Sequence, residues 1–392
     1  MSGNEFLDLL ETVKAEEASA SRMFNTSTDG RGIRSMRRDD PRYLRSLAEA
    51  TSLVAEVTTG RKPMHRLQEA MSTSDFPLLF GDIIDRSMLG RYTEWPTIWS
   101  KITKRGLVRD FRTKRQFTMD GAEAVLTQVP QGTEYPEAAL TENKYDYSIS
   151  KYGRRVPFMW EVFINDDLDA LRDTPNSLAK AARMSEERFA TELYVDNTGP
   201  DATFFSSGNS NRITTGGAGL DVTKLTSALK VLWAQTDKDG NPIYVGKVRL
   251  VVPPALGVTA MNIANATQIL GGTGGGALNA NDALQVGNWT SNYIAEVIIN
   301  PWLPIVDTVT GNTAWYLFAD PGVGRPAMEM GFLAGHETPE LFMKSPNAVR
   351  IGGGLVGAEE GSFETDGIDY KVRHCFGGGL LDPKAGLAYL GA

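Results

Sequence analysis

Phe111-Arg112-Thr113-Lys114-Arg115-Gln116-Phe117, answered by Tyr145-Asp146-Tyr147-Ser148-Ile149-Ser150, is the stretch on which the reading of this chain turns. On the first side Phe111, Thr113, Arg115 and Phe117 alternate with Arg112, Lys114 and Gln116. On the return side Tyr145, Tyr147 and Ile149 alternate with Asp146, Ser148 and Ser150. Period-two alternation predicts two half-buried strands. Between them, Thr118–Lys144 has too few apolar residues for a core of its own and carries Gly121, Pro130, Gly132, Pro136 and several glutamates. A loop of that length inside an ordered domain is usually functional.

A long amphipathic helix is predicted directly after this hairpin. Thr174 is the expected N-cap and Pro175 the first helical residue, where a missing N–H costs nothing. Leu178, Ala182, Ser185, Phe189 and Leu193 then recur at spacings of three and four, and Gly199-Pro200 close the run. From Pro175 to Asn197 the helix would be roughly 35 Å long. Glu186, Glu187, Arg188 and Glu192 are expected on its wet side.

The 392 residues, 41% hydrophobic and 22% charged, supply material for two cores. A net charge of −8 argues against a nucleic-acid binder by overall electrostatic footprint. The lone cysteine, Cys375, excludes an intrachain disulfide and suits a reducing compartment. Glu5, Asp8 and Glu11 interrupt the place where a secretory signal would need apolar residues, and no window reaches the ~18 apolar residues of a membrane helix. Aqueous surroundings and no membrane partner are therefore expected.

Along the chain, Met1–Ser74 reads as a polar arm with helices at Glu5–Glu17 and Pro41–Val57 and a basic run from Arg31 to Arg45 diluted by acids. Core density begins at Phe76–Ile102, with Phe80, Ile83, Ile84, Met88 and Leu89 on one helical face, followed by Tyr92, Trp95 and Trp99. Asp221 should cap a helix bearing Leu225, Leu229 and Leu232. Strands are expected at Val245–Val252, Ile294–Ile299, Ala314–Phe318, Ala327–Phe332 and Ile368–Phe376, and a helix after Pro253-Pro254. Strands and helices do not alternate regularly, so the fold class is α+β.

Motifs for chemistry are weak throughout. Gly271–Gly276 lacks the Lys-Ser or Lys-Thr of a phosphate loop, and the residues before it, with Asn262, Asn265 and Gln268, read as helix rather than buried strand. Asp237, Asp239 and Asn241 occupy the first ligand offsets of a calcium loop, but Pro242 and Val248 replace its glycine and glutamate, so a hairpin turn is the better account. His336-Glu337 begins like a zinc-protease helix that Pro339 blocks. His374 and Cys375 would point to opposite faces of a strand, and a buried structural cysteine is the default. No catalytic, cofactor-binding or metal residue is assigned, and no cofactor is expected.

The ordered pieces carry a resemblance. Phe76–Trp99, the polar hairpin, Phe163-Ile164-Asn165-Asp166-Asp167-Leu168 before the long helix, and the late strands together resemble tailed-bacteriophage major capsid proteins of the Hong Kong 97-like fold. Met330-Gly331-Phe332-Leu333-Ala334-Gly335-His336-Glu337-Thr338-Pro339-Glu340-Leu341 and Asp366-Gly367-Ile368-Asp369-Tyr370-Lys371-Val372-Arg373-His374 look like the closing motifs of the Mu-like prophage major head subunit group. The resemblance runs from Phe76 to the C-terminus. It implies an N-terminal arm over 1–106, an extended hairpin loop over 107–153, a peripheral domain with a long spine helix over 154–197 and 331–392, and a central axial domain over 198–330.

The function so implied is a non-enzymatic shell subunit that assembles with itself into hexamers and pentamers of an icosahedral head enclosing double-stranded DNA. The DNA would be faced non-specifically, and scaffold, portal and decoration proteins are the further partners expected. The resemblance places it in the virion, assembled in the bacterial host cytoplasm. Candidate intersubunit contacts are Arg112, Lys114, Arg115, Glu123, Glu134, Glu137 and Glu142, because a hairpin laid on a neighbour would present both charge signs. Some capsids of this fold are joined by a lysine–asparagine isopeptide bond, for which no match is found in this sequence. An encapsulin-like compartment shell is the alternative within the same fold, and a soluble phospholigand-binding enzyme using the glycine-rich loops at Gly271 and Gly352 is the alternative from another class.

Overall fold

The computed structural model describes residues 41–58, 61–62, 66, 76–120, 128–129, 131, 141–158, 168–217, 219–237, 240–271, 284–322, 325–344 and 368–390. In chain order, α1 (Pro41–Thr58) and α2 (Phe76–Glu94) precede β1 (Lys104–Val108), β2 (Lys114–Asp120), β3 (Thr141–Tyr147), β4 (Ile149–Phe158) and α3 (Leu168–Glu192). Next come β5 (Val195–Asp196), β6 (Gly199–Pro200), β7 (Arg212–Ile213), α4 (Val222–Trp233), β8 (Val248–Val252), α5 (Pro254–Asn265), β9 (Gln268–Gly271) and β10 (Leu284–Gly287). β11 (Ile294–Ile299), β12 (Trp315–Ala319), β13 (Met328–Leu333), β14 (Glu340–Met343), β15 (Ile368–Leu380) and β16 (Gly386–Tyr389) complete the order, with one-turn helices between. The mixed plan is the expected α+β. The chain groups into two compact units, Met1–Pro96 with Lys151–Arg183 and His336–Cys375, and Thr97–Ser150 with Met184–Gly335 and Phe376–Ala392.

In the first unit, α1 carries Leu44, Leu47, Thr51, Val54 and Ala55 at helical spacing, all buried, and packs against α2. This part of the expected arm therefore covers its apolar stripe within its own subunit. Helix Glu5–Glu17 and the run Arg31–Arg38 lie outside the described residues. Met88 and Tyr92 of α2 share a core with Leu178, Ala179 and Ala182 of α3 and Val372 of β15. Arg183 lies 3.6 Å from the centre of the Tyr92 ring and donates to the Tyr92 carbonyl at 2.8 Å, so one cation ties α3 to the end of α2. β14 pairs antiparallel with β15, with Glu340 opposite Arg373.

The second unit is built on a sheet of order β11-β8-β12-β16-β7. Its inner strands β8, β12 and β16 are buried on both faces, which is why they read as continuous apolar runs. Leu250, Val252, Trp315 and Leu317 meet Leu225, Leu229 and Leu232 of α4 and Ala260 of α5. On the other face Val251, Tyr316 and Phe318 meet Tyr194, Phe204 and Phe205. Asp221 caps α4 as expected, accepting from the Lys224 N–H at 2.8 Å. The C-terminal β16, counted with the peripheral part on sequence grounds, pairs antiparallel with β12 in this central sheet. A further group of strands sets β13 beside β1 in parallel and beside the Phe376–Leu380 end of β15 antiparallel.

Two expectations for the long helix are corrected. α3 starts at Leu168, so Pro175 lies inside it rather than at its first position. One lost backbone bond is a local penalty, and the buried stripe Leu178, Ala179 and Ala182 overrides it. The helix ends at Glu192 instead of Asn197 because Tyr194 turns into the core and Val195–Asp196 pairs with Gly199–Pro200. Gly199, at φ 139°, provides a backbone conformation there that only glycine adopts without strain.

Candidate assembly surface

β2 and β3 form the expected hairpin, in register from Lys114↔Tyr147 to Asp120↔Thr141. They pair with no other strand among the described residues. The alternation holds on the return strand, where Tyr147 and Ile149 are buried. On the first strand its phase is reversed: Lys114 and Gln116 are the partly covered residues, while Phe111 is 51% exposed and Arg115 is exposed. The cause is a buried carboxylate. Glu329 of β13, 1% exposed, draws the Lys114 ammonium to 2.6 Å and accepts the Tyr147 hydroxyl at 2.5 Å. Lys114 also donates to the Tyr147 oxygen at 3.1 Å and lies 5.3 Å from its ring centre. Burial, then the bond to Glu329 and its charge, push the Tyr147 hydroxyl far above its ordinary value, so it stays protonated as a donor.

Glycines make room for this cluster. Gly106 on β1 stands beside Gly331 on β13, and Gly331 beside Gly377 on β15, while Glu329 stands beside Gly379. A Cβ on Gly331 would lie 2.7 Å from the Tyr147 ring, and one on Gly379 would lie 2.8 Å from the Tyr147 Cβ. At Gly106 it would meet the Tyr147 hydroxyl at 3.0 Å and run into the Glu329 carboxylate. A side chain on Gly377 would strike the backbone of Ser148 and Ile149. Three strands are thus cut down to backbone where the hairpin root crosses them. The run Gly377-Gly378-Gly379 inside an apolar strand was the available signal, and sequence reasoning did not use it.

A second anchor was also missed. Glu186 and Glu187, expected on the wet side of α3, are 0% and 8% exposed. The Glu187 carboxylate accepts the backbone N–H of Ile98 at 2.6 Å and of Trp99 at 3.1 Å, and Glu186 accepts the Trp99 indole N–H at 2.9 Å. Their buried position follows from these partners, since a charge goes inside only with donors to hold it. Arg188 and Glu192 do lie outside, paired at 2.7 Å. Trp99 packs on Phe332 at 5.3 Å, which ties the chain entering β1 to β13.

Of the seven candidate contact residues, Arg112 lies in the exposed bend before β2, Arg115 is exposed on β2, and Lys114 is engaged with Glu329. Glu142 lies on β3 opposite Met119. Glu123, Glu134 and Glu137 lie outside the described residues. The other motifs have local roles. Asp237 accepts from the Asn241 backbone and side chain at 2.8 and 3.1 Å and so closes the expected turn. Gln268, read as helical, is on β9, where it begins a hairpin with β10; Gly272–Gly276 lie outside the described residues. His336 bonds to Glu340. Cys375 is buried, and burial pushes its thiol up, away from reactive thiolate. Among the described residues there is no group of three or more metal-ligating side chains, and no helix is long and apolar enough to cross a membrane.

A sequence model described as phage capsid protein matches residues 142–389. No curated protein matches the sequence. Among solved structures the chain is similar to one from Gordonia phage Cozz, with 12% identity, a TM-score of 0.44, and 75% of this chain and 86% of that chain covered. The mature capsid of bacteriophage PhiM1 gives 10% identity and a TM-score of 0.43, with 76% and 87% covered. The holo-SrpI encapsulin complex from Synechococcus elongatus PCC 7942 gives 10% and 0.45, with 96% and 95% covered. The family match takes in the return strand of the hairpin, the long helix, the central sheet and β13 to β15, and by it this chain belongs to the phage capsid protein family, as a structural major capsid protein.

Proposed function

We propose that this subunit builds an icosahedral head around double-stranded DNA by repeating itself in hexamers and pentamers, with the β2–β3 hairpin as its intersubunit arm. The carrying observation is that hairpin's isolation. Two strands alone are marginal in water, yet this pair is held at its root by a half-buried ion pair to Glu329 over a glycine floor and has no third strand among the described residues. Such a fixed root, with no third strand beside the pair among the described residues, supports a partner outside the subunit. Leu107 and Phe111, 54% and 51% exposed at the root, add apolar surface that a neighbour would cover.

The roles follow from the same reading. The hairpin loop reaches over the adjacent copy, α3 is the spine of a peripheral domain, and the sheet around β8 and β12 is the core of an axial domain that meets its copies on the symmetry axes. Many modest contacts then become strong through closure. An acidic balance of −8 suits a wall past which packaged DNA moves without sticking. Scaffold, portal and decoration proteins are the remaining partners of this scheme, assembly takes place in the host cytoplasm, and the motifs Met330–Leu341 and Asp366–His374 support a place in the Mu-like group. Negative-stain microscopy of the purified protein tests the proposal. Closed shells are expected, and discrete small oligomers at every concentration would overturn it.

A further inference from the structure

We infer that a groove beside Tyr244 docks an extended, proline-rich segment of another protein, flanked by acidic residues. The inference goes beyond the capsid-subunit reading, because the groove is complete within one subunit. It has a volume of about 620 Å3 and is lined by Trp233, Pro242, Tyr244, Lys247, Asn292 and Tyr293 among others, a size typical of sites that hold a ligand.

The rings of this groove are held in place by what surrounds them. The Ile243 N–H donates to the Gln235 carbonyl at 3.0 Å, and Val245 packs against the cores on both faces of the central sheet. With both neighbours committed, the Tyr244 ring between them stands 88% exposed. Trp233 ends α4 and Tyr293 ends the helical turn Thr290–Tyr293, and their rings meet at 4.7 Å with planes 62° apart. Trp289, packed against the sheet core, lies 6.2 Å from Tyr293 and anchors the pair. Rings so inclined make a slot rather than a flat platform, and three exposed aromatics around one cavity mark a surface for a partner.

The polar groups around the slot select its occupant. The Trp233 indole N–H, the Tyr244 and Tyr293 hydroxyls, the Asn292 amide and the Lys247 ammonium make no side-chain hydrogen bond or ion pair within the chain among the described residues. Indole and ammonium can only donate, and no carboxylate lines the cavity among the described residues. A proline-rich chain is the complement of such a rim. Each proline lacks an N–H and keeps its carbonyl, and the polyproline II helix leaves its carbonyls unbonded and is ordered before it docks between aromatic rings. A sugar donates from every hydroxyl and would call for carboxylates here. Charge sets the flanks: Lys247, and Lys230 one turn before Trp233 on α4, are exposed and unpaired among the described residues, in a chain whose net charge is −8. They favour carboxylates beside the prolines.

Fluorescence anisotropy on the unassembled full chain tests the docking. The probe is a labelled oligoproline peptide with glutamates at both ends, and the control is the same peptide with glycine and serine in place of proline. Saturable binding of the proline peptide is expected, about tenfold weaker for Tyr244→Ala, a ring exposed enough to be removed without disturbing the fold. Lys247→Gln should weaken binding and make it less dependent on salt. Thermal melting checks both variants, and should Tyr244→Ala not fold, the salt dependence of Lys247→Gln carries the test. No saturable binding by the native chain overturns the inference, as does equal binding of the control or binding that a folded Tyr244→Ala leaves intact. Tighter binding of single-stranded oligothymidine, lost in Tyr244→Ala, would overturn it in favour of stacked nucleic acid. Self-association of the native chain lost in the same variant would overturn it in favour of a second copy. Failure of the native chain to form shells would count against the capsid-subunit reading alone, since binding is read on single subunits.

Discussion

The Tyr147 hydroxyl donates to the Glu329 carboxylate at 2.5 Å, although the two residues are 182 positions apart. This bond fixes where the hairpin leaves the body of the subunit, and Lys114 closes it from the other strand. Removing the carboxylate strands a partly covered ammonium and an oriented phenol. Glu329→Ala should lower unfolding free energy by about 2–4 kcal/mol, below the full cost of breaking a buried pair because Lys114 can turn toward water. Hydrogen exchange should quicken first in β2 and β3. Uniform loss of protection across the central sheet, with the hairpin no worse than the rest, would contradict this role.

The glycine floor makes a second, separable claim. Gly331→Ala places a methyl group 2.7 Å from the Tyr147 ring, an overpacking expected to cost about 1–3 kcal/mol. In a Tyr147→Ala background the same substitution should cost much less, because the ring it strikes is gone. A double-mutant cycle of denaturant midpoints measures this coupling. Equal costs in both backgrounds would mean that Gly331 is required for some reason other than Tyr147.

Which parts were legible in the sequence follows the range of the interactions. The Asp221 cap and the Leu225, Leu229 and Leu232 stripe are decided within one helix, and Ile294–Ile299 by its own apolar run, so these matched. Glu186 and Glu187 look like solvated residues until Trp99 and Ile98 arrive from 87 to 89 positions away. Lys114 likewise takes the covered face of β2 only because Glu329 lies 215 positions on. Of the site, the existence of the hairpin could be read locally, while its pairing runs on into Thr118–Asp120 and Thr141–Lys144, which read as loop. Its buried carboxylate could not, because alternation reports the identity of side chains and not the distant charge they meet.

Glu187 provides the third test. It satisfies the N–H groups of Ile98 and Trp99 at the start of the turn that leads into β1. Glu187→Ala leaves the buried Trp99 donor unmet, at about 1–3 kcal/mol, and the partly buried Ile98 donor at less, while Glu187→Gln retains one good acceptor and should be milder. Near-ultraviolet circular dichroism from Trp99 should change in the alanine variant before the helix signal does. An alanine variant as stable as the glutamine one would show that the carboxylate is not holding this turn.

Acid stability depends on Glu340. Burial raises its pKa, but the bonds from His336 and Arg373, with their charges, outweigh that and hold it below the ordinary value of 4.5. A carboxylate depressed in the folded state contributes stability that is present above 4.5 and is lost as pH falls through the lower folded value. The gap in melting temperature between the native chain and Glu340→Gln should therefore be constant near neutrality and narrow below about pH 4.5. A gap that widened in acid would reverse the assignment.

The hairpin itself carries the last prediction. Replacing Thr118–Lys144 with a short Gly-Ser linker removes most of the β2–β3 pairing and all of the acidic tip, yet keeps Lys114, Tyr147 and Glu329, the three groups that hold the root. None of the buried residues in the central sheet, and none in the core around Met88, Tyr92 and Leu178, lies in the deleted segment. The unassembled deletion subunit should consequently melt within a few degrees of the native one, a shift that for a chain of this size corresponds to about 1 kcal/mol. Shell closure is another matter, since rim contacts of ~0.2–1 kcal/mol each count once per copy and add around a ring. Deletion should leave folded subunits that form no closed shells, or shells that come apart at markedly lower temperature. Microscopy and light scattering on heating read that half of the claim, and shells as heat-resistant as the native ones would show that the hairpin does not join subunits.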